Sequence, residues 1–286
     1  MSNFRFSGHE TFHCKSFWIK KGFDFITNNR DFKSNDALIE LGVGKNMVAS
    51  ISHWVKAIGL EDEDGVSDWS KALLNESGFD PYLEDLGTIW LLHFHLLNTN
   101  YSSIYKLGFT EFRKSKIGNE FTLTQFSDFL IRYCLRNNIS ISQTTLSTDA
   151  KVFIKNYLRS TKINIKSIEE DTTTLFTEIN LIQELEQVYI DNEPVLKFNY
   201  NTKESLPPEI LLYAIKVKFP ASASISILDI QNEVSELFLC NREGTESKLN
   251  QLESLGYLTK KEDAGRYEVQ VSPELTPIEI LRLHYE

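Results

Sequence analysis

Between Lys45 and Ile58 the apolar positions Val48, Ile51, Val55 and Ile58 recur at i, i+3, i+7 and i+10, the spacing of one buried stripe on a helix. Asn46, Ser50 and His53 lie opposite that stripe, flanked by Lys45, Ser52 and Lys56. A shorter helix is predicted just before it, from Ser34 to Leu41, with Ser34 or Asn35 as N-cap and Leu38 and Leu41 turned inward. Gly42 and Gly44 are expected to make a tight turn where side chains would clash, with Val43 as an apolar peg beneath both helices. The pattern is that of a helix-turn-helix. Short polar side chains and lysines on the outer face of its second helix suit a DNA major groove. The same geometry also serves protein contacts, so a helical hairpin with a solvated face is the alternative.

Further along, Phe4-Arg5-Phe6 reads as a short strand, and Phe17-Trp18-Ile19 followed by Lys20-Lys21-Gly22 begins a helix with apolar and basic faces. The acidic run Glu61 to Asp64 ends the recognition helix where a wing would belong, and its charge would repel phosphates. Asp80-Pro81-Tyr82-Leu83-Glu84-Asp85 opens an apolar helix to Leu97, with Pro81 in its first turn. Leu123 to Asn137 and Thr145 to Leu158 are predicted helices, the second with Lys151, Lys155 and Arg159 as an outer basic stripe. Val188 to Ile190 and Val195 to Tyr200 form a hairpin around Asp191-Asn192. After the boundary signal Pro207-Pro208, helices Pro208 to Lys218, Ile227 to Leu239 and Thr245 to Leu255 precede a hairpin, Tyr257 to Lys261 and Arg266 to Val271. The expected fold is mainly α with small β hairpins, built from winged-helix and helix-turn-helix units. Three domains are expected: residues 1–108, 109–204 and 205–286.

Composition narrows the class. The apolar and charged fractions, 41% and 24%, are those of an ordinary globular chain. No segment approaches the roughly 20 apolar residues of a membrane helix, and the N-terminus does not read as a signal peptide. Cys14, Cys134 and Cys240 are scattered and lack metal-ligand spacing, so a reducing cytoplasm is expected. The net charge of −10 excludes a uniformly basic nucleic-acid binder. Its distribution is uneven: residues 1–60 carry 8 Lys/Arg and 5 Asp/Glu, and residues 101–160 carry 9 and 4, while residues 61–100 carry 1 and 9. A basic face on an acidic protein is thus expected, with salt-sensitive binding if DNA is the partner.

Several clusters carry candidate chemistry. His9-Glu10-Thr11-Phe12-His13 satisfies H-E-x-x-H, the pattern of zinc hydrolases, but no third ligand follows at short spacing. His9 and Glu10 are instead either core hydrogen-bonding groups or catalytic without zinc. Asp80, Glu84 and Asp85 could hold a divalent cation, Mg or Mn, or could simply complement a helix dipole. His93, in the apolar helix, is expected to be a hydrogen-bonded core residue. Gly44-Lys45 lacks the full phosphate-loop spacing. The DNA-binding candidates are Lys20, Lys21, Lys45, Asn46, Ser50, His53, Lys56, Lys151, Lys155, Lys260, Lys261 and Arg266. For the C-terminal unit, DNA contact, homodimerisation and partner docking remain open.

The motifs F-S-G-H-E-T-F, W-x-K-K-G, L-G-V-G-K-N-M-V-x-S-I-x-x-W, and D-P-Y-L-E-D with T-x-W-L-L-H occur in this order over residues 4–93. Together they resemble the bacterial family of unknown-function domains typified by the SspB protein of DNA phosphorothioation systems. The stretch T-L-S-T-D-A-K-V-F-I-K-N-Y, Thr145 to Tyr157, resembles that family more loosely, and Lys15 stands where an arginine is expected. The resemblance implies a DNA-nicking protein in anti-phage defence, with a cysteine desulfurase and an ATP-dependent sulphur-transfer enzyme as partners. A non-catalytic adaptor that recruits the sulphur-transfer enzyme to DNA is the alternative.

Overall fold

The computed structural model describes residues 4–159, 174–263 and 266–286; the side chains of Ile117, Asp263 and Arg266 also lie outside the description. The chain is mainly helical, with small antiparallel sheets of two or three strands. No helix among the described residues is long and apolar enough to cross a membrane. By its internal contacts the chain forms two units, residues 1–84 with 95–199, and residues 85–94 with 200–286. The expected cut after residue 108 falls inside the first unit.

The first unit begins with α1 (Ser16–Thr27), α2 (Ala37–Leu41) and α3 (Lys45–Ile58). Strands β1 (Glu61–Asp62) and β2 (Gly65–Val66) pair as a small hairpin, and α4 (Asp68–Leu74) follows. The stripe on α3 packs on α1, with Val48, Ile51, Trp54, Val55 and Ile58 buried. That approach is close. A Cβ at Gly22 would lie 2.4 Å from Val55 Cγ2, so only glycine fits in α1 at this crossing.

Between α2 and α3 the turn differs from the expectation. Gly42 has φ +63° and serves as the C-cap of α2, a left-handed position that favours glycine. Gly44 has φ −70°, and neither glycine has a neighbour that a Cβ would meet, so the turn is set by one dihedral and not by crowding. Helix α2 is also shorter than expected. Leu38 is 38% exposed and Ile39 80% exposed, so only Ala37 and Leu41 turn inward, because five residues cannot bury a long face.

Helix α5 (Leu86–Thr99) starts after Pro81, which therefore sits in a turn and not in a first helical turn. Its C-terminal residues from His95 belong to the first unit, where His95 stacks on Trp69 with ring centroids 3.8 Å apart. The chain continues through α6 (Ser103–Leu107), β3 (Glu120–Phe121), α7 (Leu123–Arg136), α8 (Gln143–Tyr157), β4 (Ile182–Ile190) and β5 (Glu193–Phe198). Thr122 and Ser142 cap α7 and α8 by accepting from the amides of Gln125 and Thr145. The sheet order is β3-β5-β4, with Asp191 and Asn192 at positive φ in the hairpin turn, as their residue types predict. Phe109, Phe112, Phe121, Phe126, Phe153 and Phe198 make an aromatic core beneath this sheet. Phe4 to Phe6 forms no strand; Arg5 instead exchanges hydrogen bonds with Ser103.

The second unit comprises Leu86 to Phe94 of α5, α9 (Pro208–Lys218), β6 (Ile225–Ser226), α10 (Ile227–Glu233), α11 (Arg242–Ser254), β7 (Leu258–Asp263), β8 (Arg266–Val271) and α12 (Pro277–Tyr285). Its sheet runs β6-β8-β7, antiparallel throughout, with Leu258 opposite Val271 and Asp263 opposite Arg266. The predicted turn residues Ala264 and Gly265 lie outside the described residues. The helix expected to reach Leu239 stops at Glu233, because Val234 leaves helical dihedrals and a short 3-10 turn, Ser235–Phe238, follows. Leu249 and Leu252 are buried, but Leu255 is 54% exposed, since it caps α11 past its last buried turn. His93 lies fully buried with its Nε2 2.8 Å from the Leu237 carbonyl, the core role its setting predicted.

Candidate functional site

The H-E-x-x-H segment is a turn and not a helix, so it cannot present two histidines on one helical face. Ser7, Gly8, Glu10 and Thr11 all have positive φ, which coils residues 7–11 tightly. Gly8, at φ +103°, is where only glycine serves, because a Cβ there would lie 2.7 Å from His53 Nδ1. The coil turns His9 inward and Glu10 outward: His9 is 2% exposed, whereas Glu10 is exposed. The two expected catalytic partners are therefore separated by the backbone that joins them.

His9 instead meets a residue 140 positions away. Its Nε2 donates to Asp149 Oδ1 at 3.0 Å, and the other carboxylate oxygen accepts from the Ser7 amide at 2.7 Å. Asp149 sits on α8 and is 1% exposed. About two turns further on, Asn156 accepts from the Cys14 amide at 2.8 Å and donates to the Tyr105 hydroxyl at 2.6 Å. Two polar residues of one helix thus hold both ends of the N-terminal coil. Burying these groups is tolerable because the carboxylate and amide are hydrogen-bonded. Cys14 is itself fully buried, which pushes its thiol well above the usual range.

The donation from Nε2 leaves His9 Nδ1 as a lone-pair acceptor. That atom is buried without a hydrogen-bond partner among the described residues, as is Nε2 of His53. The His9 and His53 rings stand edge to face with centroids 5.7 Å apart, and His53 also meets Trp54 and Tyr101. Burial, reinforced electrostatically by the neighbouring His9 and Arg5, lowers the pKa of His53 to about 3. His53 is therefore neutral across the physiological range. The Arg5 guanidinium lies 4.2 Å from the Tyr101 ring centroid, a cation–π contact.

The remaining candidates divide by exposure. Ser50 is fully buried and His53 is 5% exposed, so neither lies on an outer face. The exposed side of α3 is rotated from the expected one and carries Lys45, Asn46, Ala49 and Lys56, with Ser52 half-buried. Trp54 and the N-terminal coil explain the rotation, since they cover the side that bears His53. Lys20 is tied to Asp24 at 2.6 Å and Lys21 donates to the Leu41 carbonyl at 2.9 Å. Lys151 and Lys155 line the exposed side of α8, but the helix ends at Tyr157 and Leu158 is extended, so Arg159 is exposed beyond the helix and does not continue the expected stripe. On the C-terminal hairpin Lys260 is paired with Glu253 at 3.2 Å, Lys261 is exposed, and the Arg266 side chain lies outside the described residues.

Asp80, Glu84 and Asp85 do not converge. Among the described residues no group of three His, Cys, Asp or Glu side chains is placed to hold a metal. Asp80 is buried and accepts from the Glu84 amide, while Asp85 caps α5 through the Gly87 amide at 2.6 Å and meets His284 Nε2 at 3.0 Å. Pro81 and Leu83 keep this stretch non-helical, so the four-residue spacing of Asp80 and Glu84 does not put them on one helical side.

Asp149 and Asn156 were not anticipated. The signal was present: both fall in the apolar stripe of their helix with Leu146, Phe153 and Tyr157, and a polar residue in such a stripe needs a buried partner.

These features define a class before they define an activity. A family model described as a protein of unknown function, DUF4007, matches residues 6–285, and the chain belongs to that family. Two crystal structures of SspB share the fold, one of them magnesium ion-bound. Each is 24% identical, and the match covers 99% of this chain and 88% of the other, with TM-scores of 0.82 for the magnesium-bound form and 0.83 for the other. The resemblance read from the motifs is thus borne out across nearly the whole chain. Among curated proteins no significant sequence match was found.

Proposed function

We propose that this protein is a DNA-binding component of a bacterial phosphorothioation system active in phage defence. The observation that carries the reading is the exposed side of α3, where Lys45, Asn46, Ala49 and Lys56 follow a glycine-capped turn. Two lysines near the helix ends would engage phosphates, Asn46 would reach a base edge, and Ala49 leaves room for close approach. The shared fold with SspB supports the setting. The order of helices and hairpin in each unit supports the winged-helix interpretation. Lys151 and Lys155 on α8 provide a second basic patch.

If the protein nicks DNA, His9 is the base the geometry favours, because Asp149 orients its ring and leaves Nδ1 as the acceptor. Magnesium or manganese would be its cation, and the magnesium-bound form of SspB motivates testing magnesium first. The burial of Nδ1 and the outward turn of Glu10 favour the second reading, a non-catalytic adaptor that brings a sulphur-transfer enzyme to DNA.

Two measurements separate the readings. Fluorescence anisotropy with a labelled 20-base-pair duplex should show salt-dependent binding that Lys45→Glu with Lys56→Glu weakens at least tenfold; unchanged affinity removes α3 from the interface. A supercoiled-plasmid assay with magnesium then compares wild type with His9→Gln. Nicking lost in a folded variant supports catalysis by the dyad, and no nicking by wild type leaves the adaptor.

A further inference from the structure

The C-terminal unit contains an open groove of about 1270 Å³ between α10, the outer side of α11 and the β7-β8 hairpin. Small-molecule pockets occupy roughly 300–1,000 Å³, so this one has room for a peptide segment. Its two sides carry apolar side chains that the fold does not cover: Leu228 on α10 is 66% exposed and Tyr267 on β8 is 56% exposed. Tyr267 shares a hairpin face with Val269, which is fully buried. The face that packs on the helices near Val269 therefore continues past them into the groove.

Charge decides what fits. Arg242 is neutralised by Glu246 at 2.7 Å and Lys260 by Glu253 at 3.2 Å. Asp229 and Glu262 then leave a negative excess among the described side chains on the Tyr267 side, since Lys261 and Glu268, opposite each other in register, lie on the other face of the hairpin. The neighbouring outer side of α11 adds Glu243 and the neutral Ser247 and Asn250. A phosphate backbone is repelled by such a surface, whereas a cationic peptide is attracted.

We propose that this groove docks a basic segment of a partner protein, with Lys or Arg flanking an aliphatic or aromatic residue. The apolar residue sits between Leu228 and Tyr267, and the flanking cations meet Asp229 and Glu262. The inference rests on the second unit alone and stands whether or not α3 binds DNA.

The probe is a dodecapeptide of Lys and Arg around a central Leu-Phe pair, titrated by calorimetry into the full-length protein. It should bind in a salt-dependent manner. A second peptide with Glu for each cation should not bind, and a third with Ala for Leu-Phe should bind about tenfold more weakly, as expected for losing a desolvated anchor. In the protein, Asp229→Asn with Glu262→Gln should weaken the basic peptide about fivefold, the summed effect of two rim pairs. Thermal melts confirm that the variant is folded, and the peptide controls need only wild type. Equal binding of the acidic peptide, or equal binding of the basic peptide by the neutralised protein, overturns the proposal. The same variant leaves duplex affinity unchanged, so failure here is distinguishable from failure of the α3 reading.

Discussion

Helices α3 and α11 occupy the same place in their units, the last helix before a hairpin, yet they present opposite surfaces. The outer side of α3 carries Lys45 and Lys56 with small or polar residues between them. That of α11 carries Glu243 and Glu246, and its Arg242 is spent on an internal ion pair. The two also differ in how they are anchored. The far side of α3 is sealed by a buried polar node running from Ser7 through Asp149 to Asn156, whereas α11 is held by leucines, Leu249 and Leu252, and an Asn241 cap. Similar local architecture therefore does not imply a similar partner; the charge on the exposed side does.

The largest expected effect comes from breaking the node. Asp149→Ala orphans the Ser7 amide and the buried His9 ring and should cost about 3–5 kcal/mol, read from urea melts. A loss below about 1 kcal/mol would show that the coil is held by packing alone. Next, Gly22→Ala should destabilise by about 1–3 kcal/mol, because its methyl meets Val55 and the α1–α3 crossing must open. Gly256→Ala, before β7, has nothing for a Cβ to meet and suffers only its strained φ of +78°.

Charge tests sharpen the contrast further. Glu at Lys45 and Lys56 should lower the slope of log affinity against log salt by about 1.8, at about 0.9 per phosphate contact. Reversal of Lys260 and Lys261 should change duplex affinity less than about twofold, since Lys260 is already paired. Equal losses in both variants would erase the distinction between the helices.

The pH dependences of two histidines run in opposite directions. His53 is depressed to about 3, first by burial and then by His9 and Arg5. Its contribution is present above the unfolded value of about 6.5 and is lost as pH falls from there toward 3. At His284 burial works toward a lower value, but hydrogen bonds and charge from Glu209 and Asp85 outweigh it and the net shift is upward. Its contribution is complete below about 6.5 and is lost as pH rises through the raised folded value. Thermal melts from pH 4 to 9 should show a shallower acid loss for His53→Phe and a shallower alkaline loss for His284→Gln. Parallel curves for wild type and either variant would remove that histidine from the linkage.

Local pattern was enough to place α3, α8, α9 and the hairpin around Asp191-Asn192, because periodicity, caps and turn residues are properties of short stretches. The motifs were enough to place the chain in its family. They also gave the buried role of His93, since a histidine within an apolar helix must find a partner in the core. Which side of α3 faces outward was not legible, because the N-terminal coil that covers His53 is far from it in sequence. The separation of His9 from Glu10 was equally hidden: it depends on four positive φ values and on a carboxylate that arrives from residue 149. The sequence supplied the polar residues within apolar stripes. Only the tertiary structure paired them, because hydrogen bonds between distant residues depend on how helices pack, and no local period encodes that.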